Sequence, residues 1–242
     1  MTDTIQKPKR SIIKRIFRWI FYSIVIFFVG TISWVIIYRW VDPPVTPLMV
    51  GRWIEYKFAG DSAGINYQWV NLSRISPYLQ RAVISSEDRK FFIHHGFDWD
   101  AIETNWDKLQ DGAKHVKGAS TISMQTARNV FLWQGRSYLR KGLEAYFTYL
   151  IEFFWGKKRI LEMYLNVIEM GTGVYGAEAA AQVHFKTHAV NLAPPQAALI
   201  AAVLPNPRRW SAGAPTSYIR RRQAIIVRSM MGIALPKKLL AD

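Results

Sequence analysis

The pattern of apolar and polar positions along this chain divides it into two parts. Residues 19–38 form a run of aliphatic and aromatic side chains without a charge, flanked by Arg18 and Arg39. A helix of this length rises about 1.5 Å per residue and spans roughly 30 Å, the thickness of a bilayer's hydrocarbon core. A buried core helix and a cleaved signal peptide are the alternatives, but the run is long for a signal peptide and no small-x-small cleavage site follows it. The pattern predicts a transmembrane helix over 19–38.

Beyond this run, helical periodicity and capping residues predict a mainly α domain. Apolar positions recur with the helical period over 138–155 and 157–168. Capping residues, glycines and prolines indicate further helices over 77–86, 120–133, 175–185, 195–204 and 216–231. No alternating strand pattern of any length occurs, and we expect an extended segment over 48–74.

The resulting organisation has four parts, and charge orients them. They are a basic tail (1–18), the transmembrane helix (19–38), a proline-rich linker with a membrane-proximal segment (39–74) and one globular domain (75–242). Six Lys or Arg and a single Asp precede the apolar run, so the positive-inside rule places the tail in the cytoplasm and the domain outside.

Composition limits the partners of the outer domain. The chain carries a net charge of +15, and +10 remains when residues 1–18 are removed. A basic domain outside the cytoplasm favours anionic lipid heads or pyrophosphates as partners and disfavours nucleic acid. Cysteine is absent, which excludes disulfides and thiolate metal sites.

Two carboxylates in different surroundings are the leading candidates for chemistry. Glu87 and Asp88 lie at the predicted end of a helix, where the helix dipole and the adjacent carboxylate favour a more basic Glu87, whereas Arg89 and Lys90 oppose this trend. Such a glutamate suits general-base catalysis on a sugar hydroxyl, and a solvated acidic helix end is the alternative. Glu144 shares a helix face with Arg140 and Lys141, which fits an ordinary salt bridge or part of a functional cation cluster.

The surroundings of Glu144 favour an anionic, lipid-linked ligand. Arg128 and Arg136 lie upstream and enlarge a cation cluster beside a strongly aromatic helix. This region thereby combines positive charge for a pyrophosphate with apolar surface for a lipid tail. We expect part of 138–155 and of 131–133 to enter a lipid leaflet. The turn from Gly118 into a Ser/Thr-capped helix also offers backbone N–H groups to an oxyanion, as any helix start does.

Other conspicuous residues favour structural explanations. His94 and His95 are adjacent, so their side chains point to different sides of a regular element and do not form a metal-binding pair. His184 and His188 have i,i+4 spacing but lack a nearby carboxylate in sequence to complete a zinc site. The three arginines at 220–222 are predicted to form a solvated basic face, with contact to lipid heads as the alternative.

Four short motifs follow one another along residues 75–230. They are Glu87-Asp88-x-x-Phe91-x-x-His94-x-Gly96, Gly118-x-Ser120-Thr121-Ile122-x-x-Gln125, Arg140-Lys141-x-x-Glu144 and Lys157-x-x-Ile160-Leu161-x-x-Tyr164-Leu165-Asn166. In this order they resemble the motifs of the peptidoglycan glycosyltransferases, glycosyltransferase family 51. Two positions depart from the family pattern, because Met124 stands where a glutamine is usual and Arg128 where a lysine is frequent.

The resemblance implies a lysozyme-like, mainly α fold and processive glycan synthesis from lipid II. Glu87 would deprotonate the GlcNAc 4-hydroxyl of lipid II, which attacks the lipid-linked glycan and releases undecaprenyl pyrophosphate with inversion. Glu144 would assist at the pyrophosphate, with a divalent metal ion, Mg²⁺ or Mn²⁺, as the candidate cofactor. Residues expected to bind substrate are Lys117, Ser120, Thr121, Gln125, Arg128, Arg136, Arg140 and Lys141. Residues expected to maintain the motifs are Asp88, Phe91, His94, Gly96, Gly118, Lys157, Tyr164 and Asn166.

The resemblance also implies a location and partners. The expected location is the bacterial inner membrane, with a single span, a cytoplasmic N-terminus and a periplasmic catalytic domain. Partners would be lipid II, the growing glycan and inner-membrane lipids, with other cell-wall synthesis or division proteins as further candidates. A membrane-anchored lysozyme or lytic transglycosylase is the rival enzyme, but it needs a protonated acid at the scissile bond rather than a cation cluster. A basic membrane scaffold would explain the anchor and the charge but not the four motifs.

Overall fold

The structure, a computed structural model, describes residues 10–112, 118–135 and 137–240 and divides the chain into two compact units, Met1–Val41 and Asp42–Asp242. The first unit contains α1 (Arg10–Ile37). Its residues Ile12–Ile37 have a mean hydropathy of 2.4, and α1 is the one helix of the described residues long and apolar enough to cross a bilayer. The helix begins at Arg10, earlier than the uncharged run, so basic residues occupy its first turns. Its length and composition fit a single-pass anchor.

The second unit is mainly α-helical, which confirms the predicted fold class. Its helices are α2 (Pro47–Phe58), α3 (Pro77–Glu87), α4 (Trp99–Gln110), α5 (Ile122–Phe131), α6 (Tyr138–Phe154), α7 (Lys157–Val167), α8 (Gly176–Phe185), α9 (Pro194–Val203), α10 (Ser217–Met230) and α11 (Lys237–Leu240). The seven helices predicted for the domain correspond to α3 and to α5–α10, with ends within a few residues of the predicted ones.

The prediction of an extended segment over 48–74 is wrong at its start, where α2 forms. The Thr46 hydroxyl accepts a hydrogen bond from the backbone N–H of Met49 at 3.4 Å, and Pro47 occupies the first turn, where its missing N–H costs nothing. Leu48, Met49 and Tyr56 are buried, so this helix belongs to the core.

Two further features were not predicted from the sequence. Helix α4 begins at an Asp98 cap and has no buried residue. Its apolar residues Trp99, Ile102, Trp106 and Leu109 nevertheless recur at the helical period, a signal that the prediction overlooked. A small sheet has the strand order β1 (Asn66–Tyr67), β3 (Val174–Tyr175), β2 (Glu169–Gly171), parallel between β1 and β3 and antiparallel between β2 and β3. Strands of two or three residues are too short to show an alternating pattern.

The helices of the domain pack in two groups. Helix α5 packs against α6 and α7, and Phe131 stacks on Phe147 across α5 and α6 with ring centroids 4.7 Å apart. Helix α3 packs against α9 and α10. The apolar α9, which is rich in alanine, is buried along most of its length and allows close helix approach. The C-terminal end of α3 and the N-terminal end of α5 therefore meet where the two groups adjoin.

Helix α7 holds the chain segment that leads into the domain. The buried Asn166 side chain accepts a hydrogen bond from the Val70 N–H at 3.0 Å and donates one to the Val70 carbonyl at 2.9 Å. Glu162 accepts from the Leu72 N–H at 2.8 Å, and Arg159 pairs with Asp42 at 2.8 Å. These contacts satisfy backbone groups that have no strand or helix partner, which gives the fourth motif a structural task.

Candidate active site

The turn after α3 fixes Asp88 in a structural network. Its carboxylate accepts hydrogen bonds from the backbone N–H of Ile122 at 3.0 Å and from His94 Nε2 at 2.9 Å. His94 Nδ1 accepts from the Gly96 N–H at 3.1 Å, which places the ring proton on Nε2. Asp88 therefore joins the first motif to the first turn of α5, where a carboxylate is also favoured by the helix dipole.

A second set of contacts closes the loop of the first motif against α5 and α6. The Thr121 hydroxyl caps α5 by accepting from the Met124 N–H at 3.1 Å and donates to the Gly96 carbonyl at 2.6 Å. Gly96 has φ +93°, and a Cβ there would lie 2.9 Å from the Thr148 methyl group. Both the backbone conformation and the close approach require glycine at this position.

The fourth motif supports the first through its lysine. Lys157 Nζ lies 4.7 Å from the centroid of the buried Phe91 ring and 2.6 Å from the Glu152 carboxylate. Glu152 also accepts a hydrogen bond from the Ser123 hydroxyl of α5. Phe91 and Lys157 thus stabilise the wall behind the cleft and do not line the cleft itself.

Because Asp88 is held by the Ile122 N–H and His94, Glu87 is the carboxylate at the end of α3 that can act in catalysis, and it is half-buried. Gln125 Nε2 donates to Glu87 Oε2 at 3.0 Å, and the Tyr164 hydroxyl donates to Gln125 Oε1 at 3.2 Å. Burial raises the pKa of Tyr164 well above its ordinary value, the negative charge of Glu87 adds to this, and Arg128 opposes it. Tyr164 therefore keeps its proton and orients Gln125, which in turn orients Glu87.

Glu87 lines two adjoining cavities of about 390 and 300 Å³. These volumes suit part of a sugar-sized ligand. The residues shared by both cavities are Ser86, Glu87, Gly118 and Ser120. Helix α4 forms a wall of the larger cavity, and Gln125 and Pro205 complete the smaller one. The structure thus brings predicted residues of the first and second motifs together around one cleft.

The expectation of a fully solvated basic face at 220–222 is wrong for Arg222. This side chain is half-buried, donates from Nε to the Ala202 carbonyl at 3.2 Å and lines the smaller cavity with Glu87. The helical period of α10 could have predicted this position, because Arg222 lies on the same face of the helix as the buried Ile219 and Ile226.

Glu144 forms a second cluster, on α6. Its side chain is 3% exposed and pairs with Arg140 Nη1 at 2.6 Å and with Lys141 Nζ at 2.5 Å. Arg140 is buried, whereas the Lys141 side chain is 48% exposed. Two cations against one carboxylate leave a net positive charge, which a buried salt bridge alone does not require.

The remaining predicted site residues lie in different places. Arg128 is half-buried one turn after Gln125 on α5, and its Nε donates to the Asn129 side chain at 3.4 Å. Met124, at the position where glutamine is usual, is buried in the core. Lys117 and Arg136 lie outside the described residues.

The side chains of the described residues do not form a protein-held metal site. No group of three or more His, Asp or Glu in the described part of the chain is arranged to hold a metal ion. Both oxygens of Glu144 are paired with cations, and Asp88 is bound by a backbone N–H and His94. His184 contacts the Met170 carbonyl while His188 contacts Glu178, so these histidines do not share a ligand.

Comparison with known proteins identifies the family. The family model described as Transglycosylase matches residues 57–231. A biosynthetic peptidoglycan transglycosylase of Bdellovibrio bacteriovorus is 52% identical over 220 residues, which cover 91% of this chain and 87% of that protein. Proteins of the same name from Rhodospirillum centenum and Pseudomonas syringae are 54% and 49% identical over 80% and 91% of this chain, and over 81% and 92% of their own lengths. The chain therefore belongs to the transglycosylase family.

Proposed function

We propose that this protein polymerises lipid II into glycan strands, with Glu87 as the general base. The observation that carries the proposal is the position of Glu87 in the cleft, oriented by Gln125 and the buried Tyr164. Glu87 takes the proton of the GlcNAc 4-hydroxyl, and the freed oxygen attacks the anomeric carbon of the lipid-linked glycan. The bond to undecaprenyl pyrophosphate breaks in the same step, which inverts the anomeric carbon.

The cations of α5 and α6 would stabilise the leaving pyrophosphate. Arg128, Arg140 and Lys141 offer positive charge, and Glu144 holds the last two in place through its ion pairs. Glu144 then acts by positioning these cations. Lys117 and Arg136 would add to this cation cluster, and Ser120, Thr121 and Gln125 would border the sugar-binding cleft.

A divalent ion would enter with the substrate. Because Asp88 and Glu144 are already paired, Mg²⁺ or Mn²⁺ would be held mainly by the substrate and would supply positive charge to the leaving pyrophosphate.

The proposed location is a bacterial inner membrane, with the N-terminus in the cytoplasm and the catalytic domain in the periplasm. Basic residues on the first turns of α1 support this orientation. Helices α4 and α6 also carry large apolar side chains that the domain does not cover, and these would contact membrane lipid and the substrate's tail. They are Trp99, Trp106, Leu109, Tyr138, Leu139, Tyr149 and Phe153.

Labelled lipid II incubated with the full-length protein in detergent tests the activity. We expect long polymer that still bears lipid pyrophosphate, and its absence with Glu87→Gln. Glu103→Gln, on the exposed face of α4, is the matched control and should polymerise like the wild type.

A parallel tube of pre-formed glycan strands separates the rivals. Shortened strands together with unchanged lipid II would contradict polymerisation and support a lytic enzyme. No change in either tube would contradict both enzymatic functions and favour the membrane scaffold.

The lipid contact of α6 has its own test, because the chain has no cysteine and one introduced thiol can be labelled uniquely. We expect a fluorophore at Phe153→Cys in reconstituted full-length protein to be quenched by brominated lipid. The same label at Ala224→Cys, on the exposed face of α10, should be quenched by aqueous iodide instead. Equal iodide quenching at both positions would contradict lipid contact by α6.

A further inference from the structure

A groove of about 280 Å³ lies between the C-terminal end of α3 and helix α10. It is lined by Ser85, Ser86, Arg89, Arg222, Ile225, Ile226 and Ser229. Ser85 and Ser229 share a hydrogen bond of 2.6 Å, which ties α3 to α10 beneath it. Ser86 and Arg222 also line the smaller cavity beside Glu87, so the groove continues the cleft.

Two arginines of this groove have no carboxylate partner among the described residues. Arg89 donates from Nε to the Ser85 carbonyl at 3.3 Å, and Arg222 donates from Nε to the Ala202 carbonyl at 3.2 Å. These bonds fix the direction of each guanidinium and leave its terminal N–H groups for a ligand. Since arginine binds oxyanions through two parallel hydrogen bonds, the groove is built for an anion with paired oxygens.

The position of the groove indicates which part of the substrate carries that anion. Helix α10 packs on α3 and α9, whereas α6, with its exposed aromatic side chains, packs on α5 and α7. In the proposed function the cations of α5 and α6 hold the lipid-linked pyrophosphate, so the groove beside α10 is left for another part of the substrate. The precursor of a peptidoglycan also bears a peptide on its sugar, and a peptide supplies carboxylates.

We propose that Arg89 and Arg222 bind a carboxylate of the peptide carried by the acceptor lipid II while its GlcNAc 4-hydroxyl faces Glu87. This inference rests on the proposed polymerase function and adds a specificity to it. The apolar side chains of Ile225 and Ile226 on one wall and the serine hydroxyls on the floor would contact the peptide backbone and its small side chains. Peptide-bearing acceptors would then be preferred over bare sugars.

The test compares two acceptors with one donor. One acceptor is lipid II with its full peptide, and the other is the same lipid-linked disaccharide with a single alaninamide, which has no carboxylate. We expect the wild type to have a KM roughly ten- to hundredfold lower for the full acceptor. Arg89→Gln and Arg222→Gln should each reduce that preference, and the double variant should abolish it. Arg221→Gln, exposed on the same helix, should retain the wild-type preference.

The ratio between acceptors is independent of general losses in activity, so a partly impaired variant still reports on the groove. Arg89 is exposed, and its replacement tests the groove if Arg222→Gln fails to fold. An equal loss with both acceptors would overturn the proposal, because the arginines would then act on the shared sugar or phosphates. A wild type that uses both acceptors equally would also overturn it. No polymer from either acceptor would instead contradict the polymerase function itself.

Discussion

Three side chains at the centre of the cleft form one hydrogen-bonded series. Tyr164 donates to Gln125, and Gln125 donates to Glu87, so the base is oriented from the buried core. Removing the Gln125 side chain should leave Glu87 in place but poorly oriented. The loss should therefore affect the chemical step more than substrate binding.

Gln125→Ala should lower kcat by about 10–100-fold with KM changed little, since a hydrogen bond to a charged group contributes about 1.5–3 kcal/mol. Tyr164→Phe acts only through Gln125 and should cost less. Steady-state kinetics with lipid II measure both. A Gln125→Ala enzyme with kcat within twofold of the wild type would show that Glu87 needs no such support.

Sequence alone identified Glu87, Gln125 and the Arg140–Glu144 pair as candidates because they lie in short motifs at fixed spacing. It did not reveal that Asp88 caps α5 or that Arg222 reaches the cleft, because both contacts join residues far apart in the chain. Asp88 and Ile122 are 34 residues apart, so no local sequence pattern predicts their hydrogen bond.

Among the secondary-structure elements, replacing the glycine of the first motif and replacing the glycine of α6 by alanine should have opposite effects on stability. Gly96→Ala should destabilise the domain by about 1–3 kcal/mol, because φ is +93° and the added Cβ would meet Thr148 at 2.9 Å. Gly142→Ala, inside α6 with nothing within 4 Å of its Cβ, should stabilise it by about 0.5–1 kcal/mol. Chemical denaturation of both variants measures the difference. Equal stability of the two variants would contradict the loop geometry.

Helices α5–α7 were predicted well from their sequence, whereas α2 and α4 were not. Helices α5–α7 have apolar positions at the helical period because they build the core. Helix α4 keeps its tryptophans exposed, and α2 follows a proline-rich linker that suggested extended chain. Both helices begin at capping residues, Asp98 and Thr46, and α4 also has apolar residues at the helical period that the prediction overlooked.

Across the whole domain, a buried carboxylate far from the cleft helps to hold α3 in position. Glu178 accepts hydrogen bonds from the Ala189 N–H at 2.8 Å and from His188 at 2.7 Å. The Ala189 carbonyl in turn accepts from the Ser76 N–H at the start of α3. Burial tends to raise the pKa of Glu178, but these hydrogen bonds and one from Gln182 outweigh it and lower the pKa.

Stability should therefore fall at acid pH. A depressed carboxyl pKa contributes stability that is present above the ordinary value of 4.5 and is lost as pH falls through the folded-state pKa. Glu178→Gln should lower stability by about 1–2 kcal/mol at pH 7 and reduce the further loss on acidification. Melting curves between pH 7 and pH 3 measure this. If the stability of Glu178→Gln had the same pH dependence as that of the wild type, groups other than Glu178 would cause the acid sensitivity.

For the molecule as a whole, the central claim is that Glu87 removes the proton from the acceptor hydroxyl. The most direct measurement is the initial rate of lipid II polymerisation by full-length wild type and Glu87→Gln, with lipid II binding and melting temperature recorded for both. We expect a rate lower by on the order of 10²–10⁴-fold with binding and folding unchanged. A Glu87→Gln enzyme within tenfold of the wild-type rate would contradict it.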